Sequence, residues 1–254
     1  MTPMLAVLPA AALALAGAAS AEPLRMAFSA EPYPPFTYKA SSGDWTGFEI
    51  ELGREICSAM GTECELAPTG WSGIIPSLTG GKVDFILGSM SITEKRDEVI
   101  DFSVPYYSSA AVYIGREDMD FAGEADLAGK ILAVQSSTTH STYARQELGD
   151  AGATVRIYDQ HEQMNRDLQA GRVDVILADQ IAMLSFLERD EAAGFAALAE
   201  APDHPIFGDG AGVGLREGDE ALGTAMNEAI AAVIGDGTCA ELSRKYFGAD
   251  ICAD

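Results

Sequence analysis

An arginine and an aspartate stand just beyond two copies of nearly the same phrase. Gly81-Lys82-Val83-Asp84-Phe85-Ile86-Leu87-Gly88 is echoed by Gly171-Arg172-Val173-Asp174-Val175-Ile176-Leu177-Ala178. Each copy reads as a buried strand entered through a glycine turn. The first continues into Ser89-Met90-Ser91-Ile92-Thr93-Glu94-Lys95-Arg96, and the second into Asp179-Gln180. Open α/β sheets place ligands outside the carboxyl ends of their strands. One unit therefore offers hydroxyls and a cation, the other a carboxylate. A guanidinium fork pairs with a carboxylate through two parallel hydrogen bonds, and an aspartate accepts from an ammonium, so a zwitterion satisfies both. Each residue also has a plainer use. Arg96 can be a solvated helix-start residue among Glu94, Asp97, Glu98 and Asp101, and Asp179 an N-cap for a helix beginning at Ile181.

Other residues add to this chemistry. Ser136-Ser137-Thr138-Thr139 opens a helix, and helix N-termini favour anions; Thr139 offers its backbone N–H there. Ser89 and Ser91 can complete a polar site or serve the turn they sit in. Trp71 and Tyr33 are ligand walls or core packing. His140, His161 and His204 are scattered and suggest no metal site. The Gly210-x-Gly212-x-Gly214 run does not open a helix after a strand, so it is no phosphate loop; it reads as a hinge and a close-packed strand. There is no Gly-x-Ser-x-Gly elbow, and no cofactor is implied.

The elements that must carry these residues are legible in outline. Leu24–Phe28 reads as a strand and leads into the proline-stiffened Glu31–Phe36 loop. Thr46 with Glu49 has capping-box spacing. The helix behind it puts Phe48, Leu52, Ile56 and Met60 on one face, with Gly61 to end it. A strand near Glu63–Leu66, a helix from about Gly73 and the first repeated strand follow. The second half restarts with a strand over Gly129–Gln135, a helix towards Leu148, a strand at Val155–Ile157 and the second helix–strand copy. Helical patterns run over Ile181–Leu187, Leu222–Ile234 and Cys239–Phe247. No low-complexity linker separates the halves, which points to two lobes joined by crossing strands.

The chain has 254 residues, 48% of them hydrophobic and 22% charged, ample for packed cores. Its net charge of −23 excludes nucleic-acid binding by phosphate neutralisation. The first 21 residues carry no charged side chain and end in Ala19-Ser20-Ala21, a small-x-small cleavage pattern that reads as an export signal. Four cysteines suit an oxidising compartment. They allow three pairings, of which the sequence-local one, Cys57 with Cys64 and Cys239 with Cys252, is simplest; buried free thiols are the alternative.

Gly47-Phe48-Glu49-Ile50-Glu51-Leu52-Gly53-Arg54-Glu55-Ile56-Cys57 resembles the signature of family 3 bacterial solute-binding proteins, the periplasmic receptors of polar amino acid ABC importers. Tyr33-Pro34-Pro35-Phe36, Ile74-Ile75-Pro76-Ser77-Leu78, Ser91–Arg96, Asp236-Gly237-Thr238 and Lys245-Tyr246-Phe247 also resemble family blocks. The Cys57/Cys64 position and Phe207–Arg216 resemble the lysine/arginine/ornithine- and histidine-binding branch. The resemblance implies an α/β, type II periplasmic-binding fold with two lobes joined by two hinge strands. Lobe 1 takes residues 22–109 plus 212–254, and lobe 2 residues 110–211. The implied ligand set is Arg96 for the α-carboxylate, Asp179 for the α-ammonium, Ser89, Ser91 and Thr139 as further donors, and Trp71 and Tyr33 around the side chain. Gly88 stands where the branch has another serine, and Ala30 where it has an acid; the neighbouring Glu31 is the candidate replacement. The implied function is capture of a polar amino acid, basic (or an opine-like derivative) or uncharged, and its delivery to an inner-membrane permease by a monomeric periplasmic receptor. A cyclohexadienyl dehydratase-like enzyme and a sensory ligand-binding protein are the alternatives.

Overall fold

The computed structural model describes residues 22–149 and 151–253, and the expected export signal at 1–21 lies outside them. In chain order the first part runs β1 (Leu24–Ser29), a small ribbon of β2 (Tyr38–Lys39) and β3 (Trp45–Thr46), α1 (Phe48–Ala59), β4 (Cys64–Thr69), α2 (Ile74–Thr79), β5 (Phe85–Ile86), α3 (Glu94–Asp97) and β6 (Asp101–Tyr107). Next come β7 (Ala111–Arg116), β8 (Ile131–Gln135), α4 (Thr139–Gln146), β9 (Thr154–Tyr158), α5 (His161–Gln169), β10 (Val175–Asp179), α6 (Gln180–Leu187) and β11 (Phe195–Glu200). The chain then returns through β12 (Ala211–Leu215) to α7 (Glu220–Gly235) and α8 (Thr238–Phe247).

Two five-stranded sheets result, ordered β4-β1-β5-β12-β6 and β9-β8-β10-β7-β11. They share one plan. In each, the repeated strand (β5 or β10) lies at the centre, parallel to β1 or β8 and antiparallel to a strand reached across the molecule, β12 or β7. The aspartate inside the repeated phrase explains part of that likeness. Asp84 Oδ2 accepts the backbone N–H of Arg25, and Asp174 Oδ2 accepts that of Ile131. Each thus pegs the register of its strand against the neighbour, and has a structural task rather than a chemical one.

Helices cover both faces of both sheets, as near-continuous apolar strands require. Phe48, Leu52 and Ile56 of α1 are fully buried, as their spacing predicts, in one cluster with Phe28, Phe85, Val213 and Met226. Ile74 and Leu78 of α2 pack on the opposite face with Val83 and Ile86. The second sheet is likewise enclosed, by Met164 and Leu168 on one side and Tyr143 and Ala144 on the other.

The capping-box expectation fails. Gly47, not Thr46, is the N-cap of α1, at φ 121°, and makes no side-chain cap. A Cβ there would sit 2.2 Å from the Phe36 carbonyl oxygen, so only glycine fits this close approach. Thr46 instead lies in β3 with its hydroxyl 3.3 Å from that of Tyr246. Glu49 turns inward and is 1% exposed.

The sequence-local disulfides are present, Cys57–Cys64 closing the turn from α1 into β4 and Cys239–Cys252 tying α8 to the tail. That tail strengthens the edge of the first sheet: Tyr107 bridges to Cys252, and the Ala253 N–H donates to the Tyr106 carbonyl. Removing a 13-residue cross-link costs about 3 kcal/mol of chain entropy, or roughly 6–12 °C of Tm in a protein of this size. Calorimetric scanning of Cys239→Ser/Cys252→Ser against the wild type should show a fall of that order, and an unchanged Tm would deny the tail a structural role.

Candidate functional site

The carboxyl ends of β5 and β10 converge on one cavity between the two sheets. All eight residues expected at the site line it: Glu31, Tyr33, Trp71, Ser89, Ser91 and Arg96 on the side of the first sheet, Thr139 and Asp179 on the side of the second. Its volume is about 70 Å³. A wider cleft adjoins it and shares Arg96, Thr138 and Thr139 as walls.

Arg96 belongs to the short helix α3, whose N-cap Thr93 accepts the Arg96 N–H. Its side chain folds back towards the cavity. Nη1 donates to the Ser91 carbonyl at 2.8 Å, and Nη2 to the Ser137 carbonyl across the cleft at 3.3 Å. The guanidinium carbon lies 6.0 Å from the Trp71 ring centre. Loss of solvent lowers its pKa to about 10. Among the described residues Arg96 makes no ion pair with any carboxylate, although the ten pairs found elsewhere include other arginines. A desolvated cation held only by carbonyl dipoles favours an anion arriving from outside.

Asp179 faces the same cavity from the end of β10. It is also the N-cap of α6, its Oδ1 accepting the Ala182 N–H at 3.0 Å. The capping and site positions thus coincide in one residue. Loss of solvent raises its carboxyl to about 6, opposed by hydrogen bonds from Ala182, Ser109 and Ile181. Thr139 begins α4 directly after its N-cap Thr138. Ser89 stands at φ 54° and Ser137 at φ 60°, left-handed backbone that non-glycine residues adopt at a cost and that concentrates at binding sites.

Glu31 is otherwise engaged. Its Oε2 accepts from Ser29 Oγ at 3.0 Å and from the Trp71 backbone N–H at 3.2 Å, so it positions the aromatic wall. Gly88 leaves a Cβ-sized space against that wall, 3.9 Å from Trp71 Cζ3.

Sequence reasoning missed Glu49, read as a helix cap. It is a cavity-lining carboxyl whose Oε1 accepts from Ser89 N at 2.5 Å, Ser89 Oγ at 2.8 Å and Tyr106 Oη at 2.5 Å. Burial nevertheless raises it to about 7, against those hydrogen bonds. The histidines are not all scattered either, since His140 and His161 both line the cavity. Burial lowers them to about 3 and about 4, so both are neutral near pH 7. The His161 ring meets Tyr33 edge-on across the cleft, 5.1 Å between centres. Their signal was topological: both begin helices that follow strands of the second sheet. No group of three potential metal ligands occurs among the described residues.

The profile of the bacterial extracellular solute-binding proteins, family 3, matches residues 24–249. An L-arginine-binding protein of Pseudomonas aeruginosa is 34% identical over 251 residues, covering 98% of this chain and 96% of the relative. A lysine/arginine/ornithine-binding periplasmic protein of Escherichia coli is 36% identical over 225 residues, 87% of this chain and 86% of the relative. Among solved structures, an ancestral arginine-binding protein bound to arginine superposes with a TM-score of 0.82 at 30% identity, over 89% of this chain and 98% of that one. The architecture is the type II periplasmic-binding fold: two α/β lobes joined by crossing strands.

The buried Glu49 has a consequence for stability. Its folded-state pKa, about 7, exceeds the ordinary 4.5, so the native state holds the proton more tightly than the unfolded chain does. The stability this lends is complete below about pH 4.5 and is lost as pH rises through 7, about 3 kcal/mol in all. Asp179 shifts in the same direction but is common to wild type and Glu49→Gln, so it largely cancels between them. Urea unfolding from pH 4.5 to 8 should show wild type losing about 3 kcal/mol relative to Glu49→Gln; parallel profiles would place Glu49 in its ordinary range.

Proposed function

The chain belongs to the bacterial extracellular solute-binding proteins, family 3, and we propose that it captures a polar α-amino acid by closing two lobes and hands it to an ABC permease. The observation that carries this reading is the desolvated, carboxylate-free Arg96 on one wall with Asp179 on the other. A bound amino acid gives the guanidinium its α-carboxylate and gives Asp179 its α-ammonium. Both charges then leave water as members of pairs. Thr139 at the start of α4, with Ser89 and Ser91, supplies the remaining donors and acceptors, while Tyr33 and Trp71 enclose the side chain.

The moving bodies are residues 22–109 plus 212–254 and residues 110–211, turning about hinges near 109–112 and 207–211. The sheet memberships of β6, β7, β11 and β12 support that division. Gly210 at φ 97° lies where the second crossing must flex. Contacts that span the cleft, Arg96 to Ser137 and Tyr33 to His161, characterise the closed form. Residues 1–21 act as the export signal, the mature protein works as a periplasmic monomer, and the two disulfides accord with that compartment.

A dehydratase would need a carboxylic acid poised near neutral pH. Burial raises Glu49 to about 7, so acidity alone does not decide against that chemistry. The receptor reading rests instead on relatives named as binding proteins across most of the chain.

Removing one member of a buried charge pair costs about 2–5 kcal/mol, a loss of roughly thirty-fold to several thousand-fold in affinity. Arg96→Ala and Asp179→Ala should each lose amino-acid binding to that extent in calorimetry while keeping wild-type circular dichroism. Wild-type affinity in both variants would reject the assignment. A thermal-shift screen of free amino acids reads the same event, since a ligand at a hundred times its Kd adds about 2.7 kcal/mol of stability.

A further inference from the structure

A histidine from the far side of the cleft backs one aromatic wall of the cavity. Tyr33, in the loop after β1, leans on the first core and stacks on the fully buried Phe36, with 5.5 Å between ring centres. Its other ring neighbour is His161, the first residue of α5. That helix packs through Met164 and Leu168 into the core of the second sheet. The imidazole meets the phenol ring edge-on, at 86° and 5.1 Å between centres, and both residues line the cavity. Tyr33 is thus held between a ring of its own core and a ring carried by the other.

The contact suits a neutral imidazole. His161 is 5% exposed, and a cation taken that far out of water needs a partner. Its neighbours are committed elsewhere. Arg189 Nη1 and Nη2 donate to the two carboxylate oxygens of the adjacent Glu162, at 3.2 and 3.0 Å. Asp159, just before α5, accepts from Ser136, and Arg156 of β9 turns to the Arg172 carbonyl. Among the described residues the histidine that pairs with a carboxylate is His204, 4.0 Å from Glu147. The other titratable groups lining the cavity are Glu31, Tyr33, Glu49, Arg96, His140 and Asp179. The attraction of a cation to the Tyr33 ring is smaller than the cost of its desolvation. Burial accordingly lowers His161 from 6.5 to about 4, with Glu162 acting to raise it and Arg189 to lower it.

Resting on the reading of the cleft as an amino-acid receptor, we propose that His161 is a positioning residue for capture: its neutral imidazole braces Tyr33 from the opposite lobe, so that closure on a ligand in acidic medium first requires the imidazolium to give its proton to solvent. Opening the cleft keeps the Phe36 contact and breaks the His161 contact. In the open form water reaches the ring and restores its ordinary titration. Protons then compete with closure, and affinity falls as pH drops below about 6.5.

Calorimetry of the purified full chain against the twenty protein amino acids supplies the probe. For that probe His161 by itself should weaken binding about tenfold between pH 7.5 and pH 5.5. Asp179, Glu49, His140 and the probe also titrate, so the decisive reading is the comparison with His161→Phe, which keeps a ring against Tyr33 and takes no proton. The affinity ratio between the two pH values should be about tenfold smaller in His161→Phe than in the wild type. His161→Gln, neutral but not aromatic, should show the same reduction if the phenylalanine variant folds poorly. Titrations in buffers of different ionisation enthalpy should find the wild type releasing about one proton more per ligand at pH 5.5 than either variant. An unchanged ratio and proton count in the variants would overturn the proposal, leave the ring contact as packing, and leave the receptor reading standing. Failure of the wild type to bind any of the amino acids would remove the receptor reading and this inference together.

Discussion

A guanidinium partly withdrawn from water without meeting a carboxylate governs the rest of the molecule. Arg96 is held by the carbonyls of Ser91 and Ser137, one from each side of the cleft. Carbonyl dipoles orient a cation but do not neutralise it, and the cost of an unpaired buried charge is several kcal/mol. The closed arrangement is therefore poorly supported until an anion arrives. The same argument applies with opposite sign to Asp179, whose carboxyl is lifted by burial against three hydrogen bonds. With Arg96 and Asp179 in their proposed roles, electrostatics couples lobe closure to occupancy: each charge favours the open, solvated form alone and the closed form when paired.

The duplicated architecture is what brings these charges face to face. Both sheets place their repeated strand centrally, peg it with an aspartate to the adjacent strand, and cross the molecule to complete themselves. Two copies of one unit, related through two crossing segments, present the carboxyl ends of equivalent strands to one another. Only the few residues after each strand differ. A common scaffold with unlike endings yields a site with unlike ends, which is the requirement for holding a zwitterion in one orientation.

The sequence exposed this plan wherever a regular period or a local motif carried it. The face of α1, the repeated strands, the glycine at the end of α1 and the residues Arg96, Asp179, Ser89 and Thr139 were legible because each follows from spacing or from position at a strand end. Glu49 was not. Its spacing from Thr46 matches a capping box, and nothing local shows that Gly47 must cap the helix because its backbone lies against Phe36. That contact depends on the loop before the ribbon, so it is tertiary information. His140 and His161 were missed for the same reason: 21 residues apart in the chain, they meet only because the strand order of the second sheet brings both helix starts to one wall.

Glu49 also ties the cavity wall to the scaffold behind it. Its Oε1 gathers Tyr106 and both polar atoms of Ser89, steadying a serine whose backbone lies in the left-handed region. Tyr106 is in turn fixed from behind by the C-terminal tail, through the Ala253 N–H and the Cys239–Cys252 bridge. One carboxylate oxygen is thereby committed to the scaffold, and a longer or shorter acid at position 49 would strain the Ser89 and Tyr106 contacts together.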